Sequence, residues 1–239
     1  ESTIKNYKFK QFKKIVKKSE KISTNIYNYL KQNKEPKSFI YISSGAVYGQ
    51  RNNKKRFKES EKILIKNINN LEKRKKYYAL NKIKSEKKFL KLLGLRHNIK
   101  IARCFTFIGK HIPKNESYAV GNFFERAKNK LDIELNSFNS KYIFRSYLDS
   151  KNLVNSLMKM LAFKSKIYYP VFNIGSEQEI SIYKLAIMFK KIFNIKVKIP
   201  NKNLKKIDYY VPETKKYKKY FKNKMLINLP NYIKKSFNF

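Results

Sequence analysis

Apolar residues at Phe9, Phe12, Ile15, Val16, Ile22, Ile26, Tyr29 and Leu30 recur at three- and four-residue steps, which predicts a helix over about 10–33. Pro36 ends that pattern, and the short run over 38–43, rich in Ile and aromatics, predicts a buried strand. Residues 50–75 are polar, lysine-rich and weakly periodic, as a surface loop or irregular helix would be. From Tyr78 the helical period returns through Leu80, Ile83, Phe89, Leu90, Leu92 and Leu93, with Gly94 as the expected C-cap. Ile99–Phe105 reads as another short strand. Strand, helix, strand at this spacing predicts a βαβ unit with a parallel sheet.

The second half continues the mixture. A helix is predicted near 118–130, a strand near 142–147, a helix near 150–163 and a buried strand over Val171–Gly175. Ser181 reads as the N-cap of a helix over about 182–193, with Ile182, Leu185, Ala186, Phe189 and Ile192 on one face. After Pro200 the chain is lysine-rich, with short helices expected near 214–221 and 229–236.

Composition alters this picture little. The 239 residues allow a sizeable core, and 42% hydrophobic content is too much for a disordered chain. The net charge of +41 raises the possibility of a polyanion partner. Yet the basic residues are 50 Lys against 7 Arg, spread along the whole chain and accompanied by abundant Asn, Ile, Tyr and Phe. AT-rich codons account for that bias, and a nucleic-acid reader would enrich Arg. Cys104 is the single cysteine, which excludes a disulfide within the chain, and His97 and His111 lack partners at metal-ligand spacing. With no signal peptide and no apolar run of about 20 residues, a soluble cytoplasmic protein is expected.

The chemistry concentrates in two stretches. In FIYISSGAVYG an apolar run delivers Ser43 and Ser44 to what should be a strand end, and in YALNK Tyr78 and Lys82 stand one helical turn apart. An unperturbed phenol is a poor base at neutral pH, but a nearby ammonium stabilises the phenolate. Ser44, Tyr78 and Lys82 together could take a proton from an alcohol while a hydride leaves the same carbon. YxxxK alone is weak among 18 tyrosines and 50 lysines; its order after SSGAVYG gives it weight.

In that order these motifs resemble the extended short-chain dehydrogenases/reductases, the NAD-dependent epimerase/dehydratase group acting on nucleotide sugars. The resemblance implies Ser44 as catalytic hydroxyl, Tyr78 as acid/base and Lys82 as the lysine that also holds the nicotinamide ribose of NAD or NADP. It implies further cofactor contacts at Ser43, Arg103 and Phe105, the last two in IARCFTFIG; Arg103 reads equally as a salt-bridging residue. Substrate contacts are implied at Asn122 in GNFFERA, Arg145 in FRSYLDS, and Tyr48, which either lines the site or packs beneath it. The implied fold is α/β, a partial Rossmann-like doubly wound parallel sheet lacking its first βαβ units, plus a smaller C-terminal substrate-binding region. The expected division is a partial NAD(P)-binding domain over 1–110 and a substrate-binding region over 111–239, with about 142–176 returning to the main sheet.

Three departures qualify the resemblance. No GxxGxxG dinucleotide cradle occurs, and the first glycine is Gly45; the expectation is an N-terminally incomplete chain, inactive by itself. Gly45-Ala46 stand where 4,6-dehydratases of the family carry Asp-Glu, which favours epimerisation or keto-sugar reduction over 4,6-dehydration. Thr106 and Asn152 stand where many relatives have Asn and Asp. The implied partner is a nucleotide-diphosphate sugar, in surface-polysaccharide or O-antigen synthesis, with a homodimer through the 10–33 and 78–94 helices. The competing readings are a basic nucleic-acid-binding module and a non-catalytic remnant.

Overall fold

The structure, a computed structural model, describes residues 9–112, 118–135, 139–165, 167–199, 205–222 and 227–236. In chain order the first half contains α1 (Phe9–Gln32), β1 (Ser38–Ser44), a 3-10 turn (Gly45–Tyr48), α2 (Ile65–Asn69), α3 (Lys73–Leu90), β2 (Asn98–Cys104) and β3 (Phe107–Ile108). Next come α4 (Ala119–Lys128), β4 (Ile133–Glu134), β5 (Ile143–Ser146), β6 (Leu148–Asp149) and α5 (Ser150–Ala162). β7 (Val171–Ile174), β8 (Glu179–Ser181), α6 (Ile182–Phe193), β9 (Val197–Lys198), β10 (Asp208–Tyr210), α7 (Lys215–Phe221) and α8 (Leu229–Ser236) complete the order.

β1, β2 and β7 form a parallel sheet in the order β1-β2-β7. Parallel strands need crossovers, and here α3 covers one face while α5 and α7 cover the other. Alternation along β2 sorts the side chains between those faces. Ile99 and Ile101 join Phe89 and Leu92 beside α3, whereas Ala102 and Cys104 join Met160, Phe172 and Phe221 beside α5 and α7. β2 and β7 are buried almost throughout. β1 departs from the expected buried strand: among the described residues β2 is its one partner, and Ile42 is 45% exposed.

A second lobe packs around α4 and α6, whose Val120, Phe123, Leu185 and Phe189 enclose one apolar core. Its three-stranded sheet, β10-β5-β8, pairs β5 parallel to β10 and antiparallel to β8. Of the 142–176 segment expected to rejoin the main sheet, only β7 pairs there, while β5 belongs to this second sheet. α5 and α6 begin at side-chain caps, Asp149 accepting from Asn152 N and Ser181 from Lys184 N. α6 closes at Asn194 in the left-handed region, φ 50°. α3 begins five residues earlier than its apolar period, at Lys73, and ends at Leu90, so that Gly94 lies in the following turn with φ 93° rather than at the cap.

One buried charge gives the fold a measurable pH signature. Lys100 is 1% exposed, and its Nζ donates to Phe163 O at 2.6 Å, the C-cap carbonyl of α5, and to Asn98 Oδ1 at 2.8 Å. Burial pulls its pKa down to about 8 from 10.5. Between those values the unfolded chain holds a proton that the folded chain has lost, so stability rises with pH across that window. Below about 8 the cost of the buried ammonium is fully present. Lys100→Met is expected to stabilise the protein at pH 7 by up to about 3 kcal/mol, because Asn98 Nδ2 still satisfies Phe163 O at 2.7 Å. Denaturant melts of both proteins between pH 7 and 10.5 should show the gap closing as pH rises.

Candidate active site

β1 ends at the carboxyl edge of the parallel sheet, the side on which open α/β sheets gather ligands. Its last residue, Ser44, is extended (φ −144°, ψ 146°) and caps the 3-10 turn, its Oγ accepting from Ala46 N at 3.2 Å. The turn is held closely. A Cβ on Gly45 would lie 2.7 Å from both Phe105 Cζ and Tyr210 Oη, so a side chain there would require those rings to shift. The ring of Phe105 and the phenol of Tyr210 occupy the space a side chain at position 45 would take.

α3 lies against this turn and carries Tyr78 and Lys82 on one face. Tyr78 is half-buried and lines a cleft of about 780 Å³. Lys82 is 6% exposed; its Nζ donates to Ile42 O at 3.1 Å and sits 5.5 Å from the centre of the Tyr78 ring and 5.3 Å from that of Tyr41. A long cationic side chain on a lysine-rich helix would ordinarily reach solvent. Here it points inward, between the strand end and the phenol.

The other expected site residues divide. Asn122 on α4 and Arg145 on β5 line the same cleft. Arg145 is already engaged, with Nη2 2.8 Å from Asp208 Oδ2 and Nη1 donating to Phe144 O at 2.8 Å. An anion at Arg145 would share that guanidinium with Asp208. Phe105 packs in the cluster beneath the turn, 4.7 Å from the Tyr210 ring, while its backbone N–H donates to Ile174 O at 2.9 Å.

Ser43, Arg103 and Tyr48 are buried and, like Ser44, Lys82 and Phe105, are not among the residues that line the cleft. The parallel register sets Ser43 opposite Arg103 and Arg103 opposite Asn173, all on the α3 face of the sheet. There Glu86 of α3 accepts from Ser43 Oγ, from Arg103 Nε at 3.1 and 3.2 Å and from Arg103 Nη2 at 2.7 Å. Arg103 Nη1 donates to Tyr48 Oη at 2.9 Å, Tyr48 Oη to Asn173 Oδ1 at 2.8 Å, and Asn173 N to Glu59 Oε1 at 2.8 Å. Burial alone would pull the Arg103 pKa down, but the bond and charge of Glu86 push it up, keeping the guanidinium protonated; burial pushes the Tyr48 phenol up. Through Glu86 these polar groups bind α3 to the sheet. Cys104, on the opposite face, is pushed up to about 12 by burial and is an inert thiol.

Reading the sequence missed several cleft residues. Arg126 donates to Asp132 O and lies 3.3 Å from Glu134, and Asp208, Tyr209 and Tyr210 come from β10. Arg126 lies in GNFFERA but was not singled out there, and the β10 residues have no local motif. They reach the site only because the second lobe packs against the C-terminal edge of the first.

A sequence model described as the NAD dependent epimerase/dehydratase family matches residues 5–175. No curated protein matches the chain in sequence. Among solved structures, UDP-glucuronic acid 4-epimerase from Bacillus cereus superposes with a TM-score of 0.74 at 17% identity, over 92% of this chain and 66% of that one. UDP-glucose 4-epimerase from Thermotoga maritima gives 0.69 at 18%, over 90% and 66%. dTDP-glucose 4,6-dehydratase from Bacillus anthracis gives 0.69 at 14%, over 90% and 65%. The chain thus spans about two thirds of the length of these structures. With the match covering well over half of the sequence and the α/β architecture agreeing, the chain belongs to the NAD-dependent epimerase/dehydratase family, of the extended short-chain dehydrogenase/reductase fold.

Proposed function

We propose that this chain supplies the catalytic and substrate-binding part of an NAD(P)-dependent nucleotide-sugar epimerase or keto-sugar reductase. The observation that carries the reading is the inward-turned Lys82, its ammonium lodged between Ile42 O and the Tyr78 ring where the phenol meets the cleft. Tyr78 takes the proton of a sugar hydroxyl, with Lys82 as the neighbouring positive charge that supports the phenolate. Ser44 holds the same sugar oxygen from the strand end.

The donor set suits the nicotinamide end of a dinucleotide. An ammonium has three N–H donors, and together with a phenol it can hold a ribose diol. When bound, the cofactor supplies hydride exchange at the sugar carbon whose hydroxyl Tyr78 deprotonates. Tyr78 and Lys82 are the residues of this chain that would hold it. The sequence has no GxxGxxG for the pyrophosphate, and NAD and NADP are therefore both carried in the reading.

The cleft volume of about 780 Å³ is within the usual range for small-molecule sites. Arg126 and Arg145, with Asn122 one turn before Arg126 on α4, bring donors suited to a diphosphate into that cleft. Gly45 and Ala46 leave no acid at the sugar end, which disfavours 4,6-dehydration. An altered nucleotide sugar is a glycosyl donor of the type consumed in surface-polysaccharide assembly. A homodimer through α1 and α3 belongs to the same reading; Ile22 and Tyr29 of α1 are 50% and 57% exposed.

The test is turnover. The protein carrying this chain is expected to interconvert or reduce a uridine- or thymidine-diphosphate sugar in the presence of NAD or NADP, followed by product chromatography. A protein that binds the nucleotide sugar and the dinucleotide but converts none of a panel of such sugars would overturn the assignment.

A further inference from the structure

We propose that the sugar this site accepts is acidic, a nucleotide-diphosphate hexuronate whose carboxylate is held by Lys75. The inference rests on the function proposed above and names the substrate class of the same cleft. Among the described residues, the charged side chains lining that cleft are Glu72, Lys75, Arg126, Glu134, Arg145 and Asp208. The last four pair within the second lobe, Arg126 with Glu134 at 3.3 Å and Arg145 with Asp208 at 2.8 Å. Glu72 and Lys75 form no ion pair with the described residues. Of the 50 lysines in the chain, Lys75 is the one that lines the cleft.

Both uncommitted charges stand at the start of α3, where Glu72 is the N-cap, and the first lobe adds the neutral Gln50, Asn70 and Leu71 to the cleft wall. Successive helical residues advance about 100° round the axis, so Lys75, Tyr78 and Lys82 fall within an arc of about 60°. One ridge of α3 thus carries, from its start inward, an ammonium at the cleft, the phenol and the buried ammonium. Glu72 stands about 120° round from Tyr78, on another flank. Lys73 turns away as well, its Nζ 4.7 Å from the centre of the Phe9 ring on α1.

From Lys75 to Tyr78 the helix rises about 4.5 Å. A sugar whose carbinol meets the Tyr78 phenol therefore brings the substituent of a nearby ring carbon within reach of the flexible Lys75 side chain. An alcohol at that place makes a neutral hydrogen bond to the ammonium, whereas a carboxylate makes a charge-assisted one, roughly twice as strong. Arg126 and Arg145 are each shared with a carboxylate, so Lys75 is the cation of the cleft with most to offer a second anion. Lys82 is already bonded to Ile42 O at 3.1 Å and sits behind the phenol. Lys75 selects the substrate and takes no part in proton transfer.

Calorimetric titration tests this on the protein carrying this chain, with NAD or NADP present. The probes are glucuronate and glucose on the same nucleotide, as the uridine-diphosphate pair and the thymidine-diphosphate pair. Wild type should bind the hexuronate of at least one pair about tenfold more tightly at low salt. Because Lys75 is exposed, that margin should shrink as NaCl rises. Lys75→Met keeps the stem, removes the charge and should erase the margin; Lys75→Arg should keep most of it. Equal Kd values in wild type, or a margin that survives Lys75→Met, would overturn the inference and leave the nucleotide-sugar reading standing. So would a Lys75→Met protein whose kcat falls alike on both sugars with the margin in Kd intact, since Lys75 would then act on the phenol. Binding of neither sugar in either pair would overturn the nucleotide-sugar reading and the inference together.

Discussion

Tyr78→Phe is expected to lower the turnover of a nucleotide sugar by about 10³-fold while leaving its binding intact. Phenylalanine retains the ring that lies 5.5 Å from the Lys82 ammonium and forms part of the cleft wall. It removes the one atom of that side chain able to accept a proton. Among the described groups lining the cleft, burial pushes the Tyr210 phenol up to about 12, and Glu134 and Asp208 are paired with Arg126 and Arg145. Calorimetric titration with the nucleotide sugar should give the wild-type Kd, so the loss falls on kcat. A kcat within a few-fold of wild type would remove Tyr78 from the chemistry and leave the cleft as a binding site.

Glu86→Ala is expected to have the largest effect on stability, a loss of about 3–5 kcal/mol. Glu86 and Arg103 form an ion pair whose side chains are 3% and 2% exposed, and the same carboxylate accepts from Ser43. Deleting it leaves a guanidinium charged in a place that water does not reach and strands a serine hydroxyl. Replacing Glu86 and Arg103 together by Met should recover much of the loss, since the desolvation cost leaves with the charges. Urea denaturation of the single and double variants measures both values. The pair also bears on the chemistry. Glu86 is one helical turn beyond Lys82, so the clamp that holds α3 to the sheet sets the height of the ammonium against Ile42 O. A Glu86→Ala protein that melts like wild type would show that the buried network contributes specificity and no net stability.

Strand alternation explains why the sequence motif SSGAVYG was only half read. Ser43 and Ser44 are adjacent in a β-strand, so their side chains must leave on opposite faces. One faces α3 and closes the buried network through Glu86; the other caps the turn by accepting from Ala46 N. Parallel pairing then places Arg103 and Asn173 on the same face as Ser43. The alternation was available in the sequence, but which face carried α3 was not. Tyr48, two residues past the turn glycine and its neighbour, follows Ser43 to the buried side.

Apolar spacing and the Ser181 cap by themselves determined α6, which runs over the expected 182–193, and α5, α7 and α8 begin and end within a residue of their expected bounds. Spacing determined the pairing of Tyr78 with Lys82 too, because two residues one helical turn apart share a face wherever the helix is placed. The start of α3 escaped it, since Lys73-Arg74-Lys75-Lys76 form a solvated first turn with no apolar period. β3, β4, β6, β8, β9 and β10, two or three residues each, are too short to contain a period at all. Tertiary structure alone decided that Lys82 turns inward, that Arg103 and Tyr48 join the buried network of Glu86, and that Tyr210, more than 160 residues beyond Gly45 in the chain, packs against the turn. Spacing along a chain records only what one element can do on its own; which side chains converge depends on how two lobes with separate cores pack, and that energy comes from contacts no local pattern encodes.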